Sequence, residues 1–239
     1  MLKPFEFEYR LNARDVDFSS YCRVDRIFSL NQEVSGEHSE QLGMGVEIMS
    51  SKGLGWVLTR SNLTMNKYPK INDIIRFRTW PGKMRHGVFP RFVEIYLGNE
   101  IIGTSSNLYV QIDLNSRTVA EPFCSEELKN GINIKPLPFP DNIKNIESEI
   151  EYFSERSKYS DFDINLHVNN TSYIRWAFDL FSADFHKVNI AKNVLIHYNS
   201  EIRSNENIKL ELQNKDSMSI IKGYTDKPCF TIQIDWMQK

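Results

Sequence analysis

The two halves of the sequence repeat one order of predicted elements. In each half, a strand is followed by a polar turn, a long apolar helix and several further strands. Three short segments align between the halves: Asp15-Val-Asp17 with Asp161-Phe-Asp163, Ser19 with Asn165, and Tyr21 with His167. A duplication of this kind predicts two domains of one architecture. Because an apolar helix must be covered, we expect an α+β fold in which each curved antiparallel sheet wraps around one long helix.

Hydrophobic spacing predicts the individual elements. The first half has a helix from Val24 to near Gly43 and strands at 5–14, 54–65, 74–80, 88–97 and 101–113. The second half has a helix from Thr171 to about Phe185 and strands at 149–159, 194–202, 208–213, 218–224 and 229–236. Between the halves, Pro136-Leu-Pro-Phe-Pro140 is typical of a stiff linker. We therefore place the N-terminal domain at residues 1–120, the linker at 121–147 and the C-terminal domain at 148–239.

Composition excludes several classes of protein. The 239 residues are 41% hydrophobic with a net charge of −2, which argues against disorder and against a general attraction to nucleic acid or anionic membranes. Three widely spaced cysteines, Cys22, Cys124 and Cys229, indicate reduced thiols in a cytoplasmic protein and not disulfides or a zinc site. No apolar run reaches the ~20 residues of a membrane span, and the N-terminus lacks a signal peptide's apolar core.

The polar run from Asp161 to Asn170 is the strongest candidate for a functional site. It is rich in short polar side chains and leads directly into the second predicted helix, whose first N–H groups would point back toward it. In an extended segment, Asp163, Asn165 and His167 would share one side. The same pattern is also typical of a simple Asx turn followed by a helix cap, so the residues alone leave both interpretations open.

Two stretches carry a resemblance to a known family. The first is Trp56-Val-Leu-Thr-Arg60, followed by Tyr68-Pro-Lys-Ile-Asn-Asp73 and Thr79-Trp-Pro81; the second is Asp163-Ile-Asn-Leu-His167-Val-Asn-Asn170. Together they resemble the acyl-acyl carrier protein thioesterases of plants and bacteria, in the right order over nearly the whole chain. The resemblance implies two tandem hotdog domains. It also implies hydrolysis of medium- or long-chain acyl-acyl carrier protein (ACP) thioesters, which releases free fatty acid in fatty acid biosynthesis.

The resemblance also implies which residues act. Asp163, Asn165 and His167 match the family's active-site segment, and Glu201 matches its catalytic glutamate through the context Tyr198-Asn-Ser-Glu201. The plant enzymes have a cysteine directly after that glutamate, whereas this chain has Ile202, which excludes a cysteine-dependent mechanism there. His197 stands where an acidic residue is common. Without the resemblance, Glu201 would be interpreted as a surface residue on a strand.

Thioester hydrolysis requires an activated water and stabilisation of the carbonyl oxygen. We expect Glu201 to act as the general base, Asp163 to orient the water or His167, and His167 to position the water or move a proton. The opposite assignment, with Asp163 as base or as a nucleophile that forms an anhydride, fits the sequence equally well. The carbonyl oxygen would be held by the Asn165 amide and by backbone N–H groups at the helix start, those of Val168, Asn169 and Asn170. No cofactor or metal is implied.

Two further sets of residues have open interpretations. Phe28, Trp56 and Trp80 are plausible walls of an acyl pocket in the N-terminal domain, or plain core. A basic stretch is either a solvated rim or a docking patch for ACP, an acidic partner that carries the acyl chain on phosphopantetheine. The stretch runs from Lys67 to Arg91 and contains Lys67, Lys70, Arg76, Arg78, Lys83, Arg85 and Arg91; the first six are the candidate docking residues.

Two other functions compete with ACP thioester hydrolysis. The first is a hotdog thioesterase that acts on acyl-CoA, and the second is a non-catalytic acyl-binding hotdog protein. The sequence leaves open the length and saturation of the acyl chain and the oligomeric state, a homodimer included.

Overall fold

The computed structural model describes residues 2–204 and 206–239, and the chain divides into two compact units. The N-terminal unit extends to Pro140 and the C-terminal unit begins at Asp141, except that Arg23–Phe28 group with the C-terminal unit. The division between Pro140 and Asp141 lies inside the stretch that the sequence predicts as a linker.

The N-terminal unit is an antiparallel sheet with one long helix. Its strands are β1 (Phe5–Arg10), β2 (Leu54–Met65), β3 (Ile74–Pro81), β4 (Val88–Leu97) and β5 (Glu100–Asp113), in the spatial order β1-β3-β4-β5-β2. Its helices are α1 (Val24–Gln41), α2 (Val46–Ser51) and α3 (Glu126–Asn130). The predicted strands and long helix are confirmed, except that the first strand ends at Arg10 and not at Arg14, because Asn12 caps a 3-10 turn at Ala13–Asp15. The two short helices, each of one to two turns, were not expected.

The two faces of this sheet differ in what covers them. The inner face, which we define by Thr79 and Arg91, contacts α1, because Arg91 donates a hydrogen bond to His38 of that helix. The outer face, which we define by Trp80 and Phe92, is partly covered by the predicted linker, since the Phe92 and Phe139 ring centroids lie 5.6 Å apart. Alternation along the strands assigns the remaining side chains to one face or the other.

The C-terminal unit repeats this architecture. Its strands are β6 (Ile150–Arg156), β7 (Asn189–Tyr198), β8 (Asn207–Lys215), β9 (Met218–Tyr224) and β10 (Pro228–Gln238), in the antiparallel order β7-β10-β9-β8-β6. Its helices are α4 (Asn170–Asp179) and α5 (Ala183–Val188). Helix α4 packs on the sheet through buried Tyr173, whose ring stacks on Phe230 at a centroid distance of 4.6 Å.

The helix that was expected to continue to Phe185 is broken. Helix α4 ends at Asp179, and the Ser182 hydroxyl accepts a hydrogen bond from the Phe185 N–H (3.2 Å) to start α5. Aromatic residues from both helices pack around Trp236, so the apolar spacing continues across the break.

Cys22, Cys124 and Cys229 form no disulfide within the part of the chain that the structure describes. Among the described residues, no helix is both long enough and apolar enough to cross a membrane.

Candidate active site

The polar run forms a tight turn that is closed by Asp163. Its Oδ1 accepts hydrogen bonds from the backbone N–H groups of Asn165 (2.8 Å) and His167 (3.2 Å). The Asp163 N–H donates to the His167 carbonyl (2.9 Å), and Leu166 adopts a left-handed conformation at φ 59°. The Asx turn expected from the residue types is therefore present, and it orients the side chain of His167.

A buried ion pair fixes the beginning of this turn to helix α4. Asp161 is fully buried, and its carboxylate pairs with the Arg175 guanidinium and accepts the Lys158 N–H (2.6 Å). The Asp161 carbonyl accepts the Asn169 N–H (2.7 Å) at the helix start. Sequence reasoning missed this pair, although Arg175 is the one charged residue between Asn170 and Phe178.

Glu201 and His167 are in direct contact. The Oε2 atom of Glu201 lies 3.3 Å from Nε2 of His167, and the two side chains are 36% and 21% exposed. The contact follows from local pairing of two segments, because Val168 N–H donates to the Ile202 carbonyl (2.9 Å) and His167 forms a β-bridge with Arg203. The structure thus brings together two of the residues that the sequence predicts, from segments more than 30 positions apart.

Glu201 lies beyond the end of strand β7. The sequence had predicted that it lies within this strand, and that prediction was wrong. The strand ends at Tyr198, and the N–H groups of Asn199 and Ser200 both donate to the Cys229 carbonyl, at 2.8 and 3.1 Å. The sharing of one carbonyl by two N–H groups coincides with a register irregularity in β10 between Pro228 and Phe230. Glu201 leaves the sheet ladder at this point and is carried by a loop.

The predicted oxyanion donors are partly wrong. The N–H groups of Val168 and Asn169 are engaged with the carbonyls of Ile202 and Asp161, so they are not free to bind a substrate oxygen. Asn170 is the first residue of α4, and its N–H makes no hydrogen bond to the residues that the structure describes. The Asn169 side chain caps the helix by accepting the Thr171 N–H (2.9 Å).

Asn165 lies two positions before His167 in the sequence. It is exposed, and its side-chain amide has no hydrogen-bond partner within residues 2–204 and 206–239. The Asn165 amide therefore has a donor and an acceptor that no described residue occupies.

Tyr173 supports the Glu201 segment from helix α4. Its ring is buried, and burial raises the pKa of its phenol well above the usual range, while a backbone hydrogen bond from Ile202 opposes the rise. The charges of Glu201 and Asp163 contribute to the same rise in pKa. Sequence reasoning gave Tyr173 no role, and its place on the apolar face of the helix was the available signal.

His197, which stands where an acidic residue is common, has a structural contact. Its Nε2 lies 2.9 Å from the carbonyl of Asp141, the first residue of the C-terminal unit. Ile202, at the position of the plant cysteine, is fully buried. Both residues therefore contribute to the packing of the unit.

Two of the predicted acyl-pocket residues, Trp56 and Trp80, lie on opposite faces of the N-terminal sheet. Trp56 packs edge-on against Phe89 (5.0 Å) and Tyr109 (6.3 Å), which lie on the inner face. Trp80 lies on the outer face, next to Phe92. Phe28 belongs to the turns of α1 that group with the C-terminal unit.

Half of the predicted basic patch is paired with carboxylates of the N-terminal unit, and its seventh basic neighbour in the stretch, Arg91, is buried. Lys67 pairs with Glu100 (2.7 Å), Arg76 with Glu6 (3.1 Å), and Arg78 with Glu94 (3.3 Å). Lys70 lies over the Tyr21 ring, 4.8 Å from its centroid. Two exposed cations between β3 and β4, Lys83 and Arg85, have no ion pair in the described part of the chain.

The sequence of this chain is similar to those of plant acyl carrier protein thioesterases. Oleoyl-acyl carrier protein thioesterase of Coriandrum sativum is 23% identical over 226 residues, which are 84% of this chain and 60% of the relative. Palmitoyl-acyl carrier protein thioesterase of Gossypium hirsutum is 23% identical over 190 residues, 72% of this chain and 46% of the relative. The chain thus spans about half to 60% of the length of these curated relatives.

Solved structures show the same fold. An acyl-ACP thioesterase from Bacteroides thetaiotaomicron superposes with a TM-score of 0.89 at 18% identity, covering 98% of each chain. The 12:0-ACP thioesterase from Umbellularia californica gives a TM-score of 0.81 at 17% identity, over 99% of this chain and 98% of that one. These likenesses confirm the predicted double hotdog fold.

Family models match both halves of the chain. The acyl-ACP thioesterase N-terminal domain matches residues 3–126, and the acyl-ACP thioesterase C-terminal domain matches residues 144–236. Because the two matches together cover most of the sequence, the chain belongs to the acyl-ACP thioesterase family.

Proposed function

We propose that the protein hydrolyses acyl-ACP thioesters and releases free fatty acid. Family membership supports the reaction class, and the names of the plant relatives support ACP as the carrier. The observation that carries the proposal is the 3.3 Å contact between Glu201 and His167 beside the start of helix α4. A carboxylate held against an imidazole in a half-exposed position can both reach a water molecule and exchange protons with it.

We assign the general base to Glu201. Its carboxylate removes a proton from water as the water oxygen forms a bond to the thioester carbonyl carbon. The tetrahedral intermediate then collapses, the C–S bond breaks, and the thiolate leaves as a weak base, since thiols have a pKa of ~8.5. The proton returns to the thiolate through Glu201 or His167, so the reaction consumes one water and needs no cofactor.

We assign a positioning role to Asp163. Its Oδ1 already accepts two backbone N–H groups of its own turn, and those bonds fix the direction of the His167 side chain. An oxygen that already accepts two N–H groups has fewer lone pairs available to a water molecule or a carbonyl carbon. These bonds favour Glu201 over Asp163 for the activation of water.

We assign the stabilisation of the carbonyl oxygen to Asn165 and Asn170. Asn165 offers a side-chain amide without another partner in the described part of the chain, and Asn170 offers a free N–H at the positive end of α4. Donors of this type at a developing oxyanion contribute strongly to acyl transfer, because charge builds up on that oxygen in the transition state.

For the carrier-protein and acyl-chain sites, we propose fewer residues than the sequence suggested. We propose Lys83 and Arg85 as the docking residues for an acidic carrier protein, because both are exposed and neither forms an ion pair with the described residues. Trp56 is the better candidate for an apolar wall, because Trp80 lies on the other face of the sheet. The free cysteines favour a reducing compartment such as the cytoplasm. A homodimer stays a prediction.

The test of the proposed function is Glu201→Gln, which keeps the shape of the side chain and removes the base. We expect kcat for an acyl-ACP substrate to fall by roughly 10²–10⁴-fold, while acyl-ACP binding is retained. Glu121→Gln, at an exposed glutamate far along the chain, is the matched control and should leave kcat unchanged. Hydrolysis by Glu201→Gln at the wild-type rate would remove the basis of the proposal.

A second measurement separates the two carriers. One acyl chain is presented on ACP and on CoA at equal concentration, and kcat/KM is compared. A preference for ACP supports the proposed substrate, and its reduction by Lys83→Ala with Arg85→Ala would assign the docking residues. A preference for CoA would show that CoA and not ACP is the carrier. The proposed roles of the hydrolytic residues would still hold.

A further inference from the structure

The interior of the N-terminal unit contains an arginine without a counter-charge. Arg91 lies on the inner face of the sheet and is only 8% exposed. Its guanidinium donates to neutral acceptors: His38 Nδ1 (3.0 Å), Ser39 Oγ (3.1 Å) and Thr79 Oγ1 (3.5 Å). Within residues 2–204 and 206–239, no carboxylate forms an ion pair with it.

This arginine remains charged at neutral pH. Burial lowers the pKa of Arg91 to about 10, and it lowers the pKa of His38 to about 4, with the Arg91 charge adding to the second effect. The pair therefore consists of a cation and a neutral imidazole. A buried cation that meets only neutral partners destabilises a fold, so its presence calls for another explanation than stability.

Two buried polar side chains on helix α1 have no hydrogen-bond partner among the described residues. Asn31 and Ser35 are 3% and 4% exposed, and neither the amide nor the hydroxyl forms a hydrogen bond with a residue that the structure describes. Buried polar groups are nearly always paired. Asn31, Ser35 and His38 are spaced by four and three positions, so they lie along the side of α1 that faces Arg91.

An aromatic wall adjoins the arginine on the same face. Phe89 precedes Arg91 by two positions on β4, and Tyr109 is the cross-strand partner of Phe89. Trp56 closes the wall through its edge contacts with both rings. A cation, unused neutral donors and an apolar surface are thus placed together, and this combination matches a molecule with an anionic head and a hydrocarbon body.

We propose that the inner face of the N-terminal unit binds an aliphatic carboxylate, with the carboxylate on Arg91 and the hydrocarbon on the Trp56–Phe89–Tyr109 wall. Asn31 and Ser35 provide further hydrogen bonds to oxygen atoms of the ligand. The binding goes beyond the proposed hydrolysis and needs no turnover. The carboxylate has two candidate sources, a free fatty acid or a carboxyl group at the far end of an acyl substrate.

Calorimetric titration of the full chain tests the binding directly. Decanoate and decan-1-ol are titrated into Glu201→Gln protein, with and without Arg91→Met, so that hydrolysis plays no part. We expect decanoate to bind at least tenfold more tightly than decanol, and Arg91→Met to abolish that difference while decanol still binds. Equal affinity for decanoate with and without Arg91, or no binding of decanoate at all, overturns the proposal.

A matched arginine provides the control. Arg78 lies on the outer face, where it pairs with Glu94, so Arg78→Met should leave decanoate affinity unchanged. Removal of an uncompensated cation should not lower the melting temperature, and Arg91→Gln serves as the second variant if the methionine variant does not fold. Loss of decanoate binding in Arg78→Met to the same extent as in Arg91→Met contradicts the assignment.

Kinetics on the active enzyme distinguish the two sources. Inhibition by free decanoate that disappears in Arg91→Met identifies the free acid. Faster hydrolysis of a thioester whose acyl chain ends in a carboxyl group than of the decanoyl thioester, lost in Arg91→Met, identifies the substrate. Absence of both effects in an enzyme that hydrolyses the decanoyl thioester overturns the proposal, whereas absence of all hydrolysis overturns only the proposed function.

Discussion

The two units build the same polar turn and place different chemistry on it. In the N-terminal unit, Asp17 Oδ1 accepts the N–H groups of Ser19 (2.8 Å) and Tyr21 (3.1 Å), as Asp163 does for Asn165 and His167. The left-handed position recurs at Ser20, with φ 66°. The turn is therefore a scaffold that both units inherit.

The match extends to the segment that pairs with each turn. Cys22 N–H donates to the Pro69 carbonyl (2.9 Å), as Val168 N–H does to Ile202, and Tyr21 bridges Lys70 as His167 bridges Arg203. By this register, Tyr68 occupies the place of Glu201. Tyr68 is buried, and burial raises the pKa of its phenol far above the usual range, so it cannot act as a base near neutral pH. One unit thus retains the scaffold without a base.

Exchange of the imidazole has the largest expected effect. His167→Gln should lower kcat by roughly 10²–10⁴-fold, because the ring that contacts Glu201 is lost. Because the site is partly exposed, the substitution should change the free energy of unfolding little. The corresponding substitution in the other unit, Tyr21→Phe, should leave kcat unchanged. Steady-state kinetics and thermal melts on both variants decide the comparison. Equal losses of activity would mean that the two turns act through structure alone.

The partners of the two buried aspartates that begin the turns should contribute differently to the stability of the fold. Arg175→Leu leaves the charge of Asp161 buried without its cation and should lower the free energy of unfolding by about 3 kcal/mol. In the N-terminal unit, the Tyr9 hydroxyl donates to Asp15 (3.1 Å), a hydrogen bond between a neutral donor and a carboxylate. Tyr9→Phe should therefore cost only about 1–2 kcal/mol. Urea denaturation measures both, and a larger loss for Tyr9→Phe would reverse the comparison.

Asp163→Asn sharpens the assignment of roles between the two carboxylates. The asparagine oxygen can accept the same two N–H groups, so the turn should persist and kcat should fall by less than about tenfold. Asp163→Ala removes the acceptor, and it should lower kcat further and destabilise the chain by about 1–2 kcal/mol. Loss of activity in Asp163→Asn as severe as in Glu201→Gln would instead assign direct chemistry to Asp163.

The strands and the repeated turn could be predicted from the sequence, because both halves repeat the same local pattern of residue types. Strands β2, β4 and β9 begin and end where apolar spacing places them, and the alignment of Tyr21 with His167 already identified the inherited turn. These features depend on neighbours along the chain. Residue types at short spacing are enough to determine them.

The features that the sequence did not predict depend on contacts distant in the chain. The N–H of Val168 is engaged by Ile202, which is 34 positions away, so helix capping rules could not show that it is occupied. Glu201 leaves strand β7 because two N–H groups share the Cys229 carbonyl on another strand. The helix break at Ser182 escaped the apolar spacing, because Phe181 and Phe185 both pack on Trp236 across it.

His38 should make the stability of the chain depend on pH in the acid range. Burial, with the Arg91 charge, lowers the pKa of His38 from 6.5 to about 4, so the folded chain holds this imidazole neutral while the unfolded chain binds a proton below pH 6.5. His38 therefore contributes stability above pH 6.5 that is lost as the pH falls toward 4. His38→Gln should make the free energy of unfolding less dependent on pH in this window and leave that dependence unchanged above it. His86→Asn, at an exposed turn, is the control, and an equal flattening there would show that His38 is not the titrating group.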